Sequence, residues 1–589
     1  MAFGYAFVDL NDEQKHARRE LLDWYPLVAQ FSVLFVLAAF QLCFLLSWLA
    51  HYGIEYERPR SPSFNKRIDG KWTWLRKSRQ GFQKLVWWMK TPVIANWGTR
   101  GEWIGGAAWT LWLLYLCVVQ TGNDYLHLTK RFGAIGGSQL PLHYLLAMRA
   151  PYSPIQWLTR LSHEELKSSH QILGRIVFVL FVLHAIFYMN FFVLSGFLAK
   201  RIKDTDVIFG IISLILFSII STTALGKIRR WNYRVFYLSH IAISFIIVVP
   251  LYIHVHHIRL YVWEVVAVNG LHLITRAVRS RTYMSSVRLL PGTNLVEIRI
   301  PLTTMASALA WKPGQHVYLR RTDGISYPAS IFDWRTNPFT VASIPVKDKE
   351  LLLVARTLKG NTKGLADLAK SLRSAGSDEA PRIPMALEGP YGASSYLPDF
   401  SLFDRVLLVA GGVGATFVMP VYRSIVEFHN PDHAGGPQIR CIWAVQKLAE
   451  TQWAFPAHDK EEEEDADVGA GADAGAQSPL YNPSTVEVFV TRPSGPSLQV
   501  GEAGEDVELA EDDQLLSMEE QMEKPRKGMT VKSGRPKISA IVEEVFSKGT
   551  SVAVVSCGPK PLTDQVRRSV AAWIAQGHDV YWHDETFGW

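Results

Sequence analysis

Apolar positions crowd the first half of the chain and take up a strand-like rhythm in the second. Runs long enough to cross a hydrocarbon core of ~30 Å occupy 28–50, 103–119, 171–198, 207–225, 235–255 and 258–276. A weaker run at 133–148 contains Gln139, Pro141 and His143, and is counted as a seventh span. After about residue 280 the pattern changes. The segments NLVEIRIP, GQHVYLRR and ELLLVART read as strands between turn signals and predict a small β-rich domain ending near residue 395. From Phe403 the pattern becomes strand, glycine turn, helix, followed by the strands QIRCIWAVQ, TVEVFVTR and TSVAVVSCG. That succession is an α/β nucleotide-binding pattern. Acidic, Gly/Ala-rich tracts within 459–530 interrupt it. They hold too few large apolar residues to build a core, and are expected as disordered surface insertions around the TVEVFVTR strand.

Charge orients the spans. Residues 51–102 hold eleven Lys/Arg against four acids, and 227–234 hold four basic residues and no acid, so both loops are assigned to the cytoplasm. Seven spans then place the N-terminus outside and the long C-terminal half in the cytosol. The mildly basic loop at 200–206 runs against this assignment. The net charge of +7 follows from such loops, and no basic, aromatic-interleaved module argues for nucleic acid. Many of the 20 Trp lie near the ends of apolar runs, as interfacial belts require. Cys43, Cys117, Cys441 and Cys557 are scattered, which disfavours a disulfide framework or a zinc site. The charged first twenty residues do not resemble a cleavable signal peptide.

Four histidines carry the candidate chemistry of the membrane half. His170 and His184 share one apolar run, His240 and His254 another, and each pair is 14 residues apart. On a helix that step turns ~1400°, about 40° short of four turns, and rises ~21 Å. Both imidazoles of a pair share a face, one near each edge of the hydrocarbon. Two such helices side by side offer two stacked histidine pairs, a scaffold for two haems and for moving electrons across a bilayer. His256 and His257 point elsewhere and are assigned to the aqueous boundary. His143 has no partner at this spacing and is expected to be structural.

In the second half, Gly411-Gly412-Val413-Gly414-Ala415-Thr416 follows a buried strand and opens a helix. There, glycines admit a pyrophosphate to backbone N–H groups. Asn337-Pro338-Phe339-Thr340, Leu387–Gly392, Cys557-Gly558-Pro559 and the terminal run from His583 to Trp589 are each, singly, explicable as turn chemistry or packing.

As an ordered set, these motifs resemble the fungal ferric reductase (metalloreductase) family of the ferric reductase and NADPH oxidase superfamily. The set comprises the paired histidine helices, PGQH at 313–316, NPFT at 337–340, the K-G-x-T of Lys359–Thr362, EGPYG, GGVGAT, CGP and the terminal E-x-F-x-W. The resemblance covers roughly 100–589, and the extra N-terminal span favours metalloreductases over oxidases. It implies a multi-span α-helical membrane domain, a di-haem helical bundle, followed by a ferredoxin-NADP reductase-like module of flavin-binding β-barrel plus α/β nucleotide-binding domain. The expected boundaries are 1–100 for the extra span and basic loop, 101–280 for the six-span di-haem domain, 281–398 for the FAD barrel and 399–589 for the NAD(P) domain.

The resemblance also implies roles. His170, His184, His240 and His254 would ligate two b-type haems. Pro338, Phe339 and Thr340 would lie along the flavin, and Lys359, Gly360 and Thr362 near its pyrophosphate, with Gly389 closing the site. Gly411, Gly412, Gly414 and Thr416, with Gly558 and Pro559, would take NADPH. Cys557 and Glu585 would flank the site of hydride transfer, and Trp589 would shield the flavin. Electrons would pass from cytosolic NADPH through FAD and the haems to ferric chelates or cupric ions outside, with the plasma membrane as the expected location. A multicopper oxidase and iron permease would act downstream in uptake. Two departures from the family pattern stand out. Asn337 replaces the usual His. Gln446-Lys447 stands where relatives often carry Arg, which weakens selectivity for NADPH over NADH unless Arg535 compensates. The alternatives are an NADPH oxidase making superoxide, and a non-catalytic haem scaffold or ion conductor.

Overall fold

The computed structural model describes residues 4–55, 73–93, 98–149, 153–302, 311–321, 336–358, 360–374, 382–392, 397–428, 437–455, 486–491, 529–548 and 551–585. The acidic tracts expected as insertions, together with Lys359 and Trp589, lie outside these residues. The chain divides into two compact units at Arg279 and Ser280.

The first unit is helical. Among the described residues, four helical stretches are long and apolar enough to cross a membrane: Asp12–Leu46, His163–Leu194, Thr205–Thr223 and Tyr233–His254. The sequence pattern predicted seven, and the other three places are helical but differ physically. Arg100–Val118 is capped by Thr99 and carries Arg100 and Glu102 in its first turn. The run near 133–148 is split at Gln139 into Tyr125–Ser138 and Leu140–Ala147, where Pro141 sits in the first turn of the second piece. Arg259–Arg279 carries Arg276 and Arg279 in its last turn. Leu173, Val177, Ile243, Ile247, Leu251 and Val262 form part of the buried contact between these helices.

The second unit holds two sheets. In the first, six antiparallel strands lie in the order β4-β3-β6-β1-β2-β5. The strands are β1 (Ser280–Leu289), β2 (Leu295–Pro301), β3 (His316–Arg321), β4 (Asn337–Thr340), β5 (Glu350–Arg356) and β6 (Arg382–Tyr391). The edges meet through the bridge Val341↔Leu353 and the bond from Ala342 N to Leu352 O at 2.7 Å, so the sheet closes into a barrel. Val287, Ile298, Val317, Leu353 and Met385 are among the residues filling it.

The second sheet is parallel throughout, in the order β10-β9-β8-β7-β11-β12. It comprises β7 (Arg405–Gly411), β8 (Gln438–Val445), β9 (Val486–Val490), β10 (Thr530–Ser533), β11 (Ser551–Cys557) and β12 (Asp579–Glu585). β7 and β11 are buried at six consecutive positions each, as strands covered on both faces must be. Within this unit Arg423 donates to both carboxylate oxygens of Asp348 at 2.7 and 2.8 Å, tying the helix after β7 to the turn before β5. Both side chains are largely buried, so the pair fixes the nucleotide sheet against the barrel.

Candidate functional site

The histidine helices are built to hold their register. Ser162 and Glu165 form a reciprocal cap at the start of His163–Leu194. Asn232 caps the other helix through Val235 N. That helix is interrupted at Ile247, because Pro250 has no N–H to offer the carbonyl of Ile246. The interruption does not undo the pairing. The His170 and His240 rings stand 6.2 Å apart, centre to centre, and so do those of His184 and His254.

That spacing suits one metal ion between two imidazoles. Two metal–nitrogen bonds of about 2 Å and two ring half-widths of roughly 1 Å sum to about 6 Å. The other ring nitrogens agree. Nδ1 of His170 bonds to the carbonyl of His143 at 3.0 Å, Nδ1 of His184 to that of Thr129 at 2.8 Å and Nδ1 of His254 to that of Asp206 at 2.6 Å. A carbonyl only accepts, so each Nδ1 carries the proton and each Nε2 keeps its lone pair available to a metal ion. Nδ1 of His240 is buried without a partner among the described residues. Glycines make room for the rings: a Cβ on Gly133 would stand 2.7 Å from the His184 ring, and one on Gly210 2.6 Å from that of His254. No signal in the histidine spacing pointed to these two glycines or to the carbonyls. His143, expected to be structural, stacks on His170 with centroids 4.0 Å apart, besides supplying its carbonyl.

In the parallel sheet, β7 sends its successor strand to one side and pairs with β11 on the other, which makes the gap beyond their C-terminal ends a topological switch point. The two glycine turns meet there, backbone against backbone. A Cβ on Gly414 would lie 2.3 Å from the carbonyl oxygen of Cys557, and one on Gly558 would lie 2.9 Å from the Cα of Gly411. Gly412 has open space around it but adopts φ +53°, the left-handed region that favours glycine. Trp443 Nε1 donates to the Gly412 carbonyl at 3.0 Å, a support the motif did not announce. Thr416 is buried, and its hydroxyl donates to the Val413 carbonyl at 2.8 Å. Pro559 caps the helix Lys560–Gln576.

Cys557 and Glu585 are register neighbours across β11 and β12. Burial pushes the Cys557 thiol well up, and the negative charges of Glu585 and Asp584 add to it. It is therefore a neutral thiol and a small apolar wall, not a thiolate nucleophile. Glu585 is half-buried and within 3.1 Å of His583 Nε2, and the His583 ring stacks on Phe417 from the helix after the glycine turn.

The barrel motifs converge on one end. Of Asn337–Thr340, Phe339 and Thr340 are buried and Phe339 packs in the barrel core, leaving Asn337 and Pro338 half-exposed. Asn361 Nδ2 donates to Asn337 Oδ1 at 3.0 Å, so the residue that replaces the usual His ties β4 to the Gly360–Thr362 turn. Gly360 adopts φ +83° ahead of the helix Asn361–Ser374, and Thr362 Oγ1 accepts from Leu358 N at 2.9 Å. Gly389 lies near the end of β6. Gln446 follows β8, and Arg535 lies exposed just after β10, on the same C-terminal edge of the sheet.

A helical membrane unit with facing histidine pairs, followed by a closed antiparallel barrel and a parallel nucleotide-type sheet, defines a transmembrane protein joined to a ferredoxin reductase-like module. Three family profiles match in the same order: the ferric reductase-like transmembrane component at 132–251, the FAD-binding domain at 280–395 and the ferric reductase NAD-binding domain at 403–571. The chain belongs to the ferric reductase family. It is 25% identical over 459 residues to ferric reductase transmembrane component 3 of Saccharomyces cerevisiae, covering 76% of this chain and 59% of that one. Ferric/cupric reductase transmembrane component 2 of the same yeast is 24% identical, with the same coverage. The probable metalloreductase AIM14 of Meyerozyma guilliermondii is 24% identical, covering 77% of this chain and 83% of that one. The chain thus spans 59% of the length of the two yeast relatives.

Proposed function

We propose that this protein carries electrons from cytosolic NADPH, through FAD and two b-type haems, to ferric chelates and cupric ions on the far side of the membrane. The observation that carries the reading is the pair of matched histidine sites, each 6.2 Å between ring centres, in one chain with the reductase module. When bound, FAD supplies the conversion of a two-electron hydride into single electrons, and bis-histidine haem iron supplies one-electron carriers with no open coordination position.

The chain's own residues set the path. The turn from Gly411 to Gly414 brings bare backbone to the nucleotide pyrophosphate at a helix N-terminus. Cys557 walls the nicotinamide site, and Glu585, oriented by His583, faces it. Asn337, Pro338, Gly360, Thr362 and Gly389 would line the flavin end of the barrel, with Lys359 and Trp589 assigned to the flavin from the sequence motif alone. His170 and His240 would hold the inner haem, and His184 and His254 the outer one. The basic loops at 51–102 and 227–234 stay cytosolic, with the plasma membrane as the location. Ferrous iron leaving the outer face is the form a separate oxidase and permease pair would take up.

The acceptor is tested in membrane vesicles supplied with NADPH and a ferric chelate. Fe(II) formation is expected to be the same with and without superoxide dismutase. Fe(II) formation abolished by dismutase would mean that dioxygen is the acceptor and superoxide the actual iron reductant.

A further inference from the structure

The span that carries His240 and His254 ends in a short turn rich in imidazole. Val255 is extended, at φ −155° and ψ 143°, and His256–Ile258 form one turn of 3-10 helix before the next long helix begins. The His256 and His257 rings stand 6.3 Å apart, centre to centre, nearly the separation of the two haem-type pairs. Asp23, on the N-terminal helix, lies 3.3 Å from His257 Nδ1, with side-chain exposures of 40% for His257 and 63% for Asp23. A carboxylate on one ring nitrogen is the usual backing for an imidazole that binds metal through the other. The cation next in the chain, Arg259, is engaged elsewhere: it stacks on Tyr252 and donates to its carbonyl at 3.1 Å.

We infer that His256 and His257, backed by Asp23, bind an exchangeable transition-metal ion, cupric above all, beside the His184–His254 pair. Imidazole nitrogen suits copper, which heads the affinity order of divalent first-row metals. No group of three His, Cys, Asp or Glu side chains among the described residues is arranged around a metal ion. Water or the ion's own chelator therefore fills the remaining positions, as a substrate that must leave requires. His257 is three residues along the chain from His254, so their Cα atoms are at most about 11 Å apart. As a place for substrate the site rests on the function proposed above; as a metal site it stands without it.

The test uses the full-length protein in detergent micelles and Cu(II) alone as probe. Electron paramagnetic resonance is expected to show one exposed copper equivalent with imidazole nitrogen couplings. The double variant His256→Ala/His257→Ala loses that signal at the same free copper concentration, and Asp23→Asn weakens binding about 10- to 100-fold. Both variants keep the parent's melting temperature, because the substituted side chains are exposed. In vesicles the double variant raises KM for cupric ion and leaves its kcat, and it leaves the reduction of a fully chelated ferric complex unchanged. Copper affinity within twofold of the parent in the double variant overturns the site. Copper binding lost from the double variant of a protein that reduces no metal keeps the site and overturns the function.

Discussion

His184→Ala is expected to reduce external ferric chelate no faster than membranes lacking the protein, while NADPH still bleaches the flavin at the parental rate. The replacement removes one of two imidazoles at a 6.2 Å site and leaves His254 without a partner across it. It acts only there. The His170–His240 pair is 14 residues away along both helices, a rise of ~21 Å, so the inner haem remains and the reduced-minus-oxidised spectrum falls to about half its amplitude. The described residues of the reductase module lie in the other compact unit, so flavin reduction serves as an internal control for the folding of that module. Gly133→Ala probes the same site without touching a ligand. Its Cβ would stand 2.7 Å from the His184 ring, which is held by the Thr129 carbonyl and cannot simply rotate away. This variant is expected to shift the outer haem's spectrum and potential and to slow iron reduction less than His184→Ala does. Iron reduction surviving unchanged in His184→Ala would remove His184 from the ligand set.

The sequence made some of this legible and hid the rest for physical reasons. The histidine pairs could be read because a helix has a fixed period, so a 14-residue step places two side chains on one face whatever packs around them. β7 and β11 could be read because strands covered on both faces form near-continuous apolar runs. The carbonyls of His143, Thr129 and Asp206 could not, because a backbone acceptor leaves no mark in the residue type. The break of the 133–148 run at Gln139 was signalled by Pro141, yet the run's apolar content outweighed it. Phe339, expected along the flavin from its motif, packs in the barrel core, a burial the four-residue motif does not signal. Asn337 marked a departure from the family pattern. Its bond to Asn361 is a contact between segments 24 residues apart, and a contact of that kind is set by the fold.

Gly414→Ala is expected to lower NADPH-dependent turnover about 100-fold and to destabilise the nucleotide sheet, whereas Gly412→Ala costs much less of both. The two glycines sit two residues apart in one turn but are glycine for different reasons. At Gly414 a methyl group would meet the Cys557 carbonyl oxygen at 2.3 Å, its carbon at 2.6 Å and the Gly558 nitrogen at 2.9 Å. All three are backbone atoms at the end of a central strand, so none can swing aside as a side chain would. Relief requires the two turns to part, at a cost of roughly 1–3 kcal/mol in stability and with displacement of Cys557 from its register with Glu585. At Gly412 a methyl group meets nothing within 4 Å, and the cost is that of holding alanine at φ +53°, about 1 kcal/mol. Stopped-flow flavin reduction by NADPH and thermal unfolding, measured on both variants, separate the two causes. Equal losses in the two variants would mean that the turn is glycine-rich for its backbone conformation alone. The expected inequality makes Gly414 the residue through which the shape of the nucleotide turn fixes the position of Cys557.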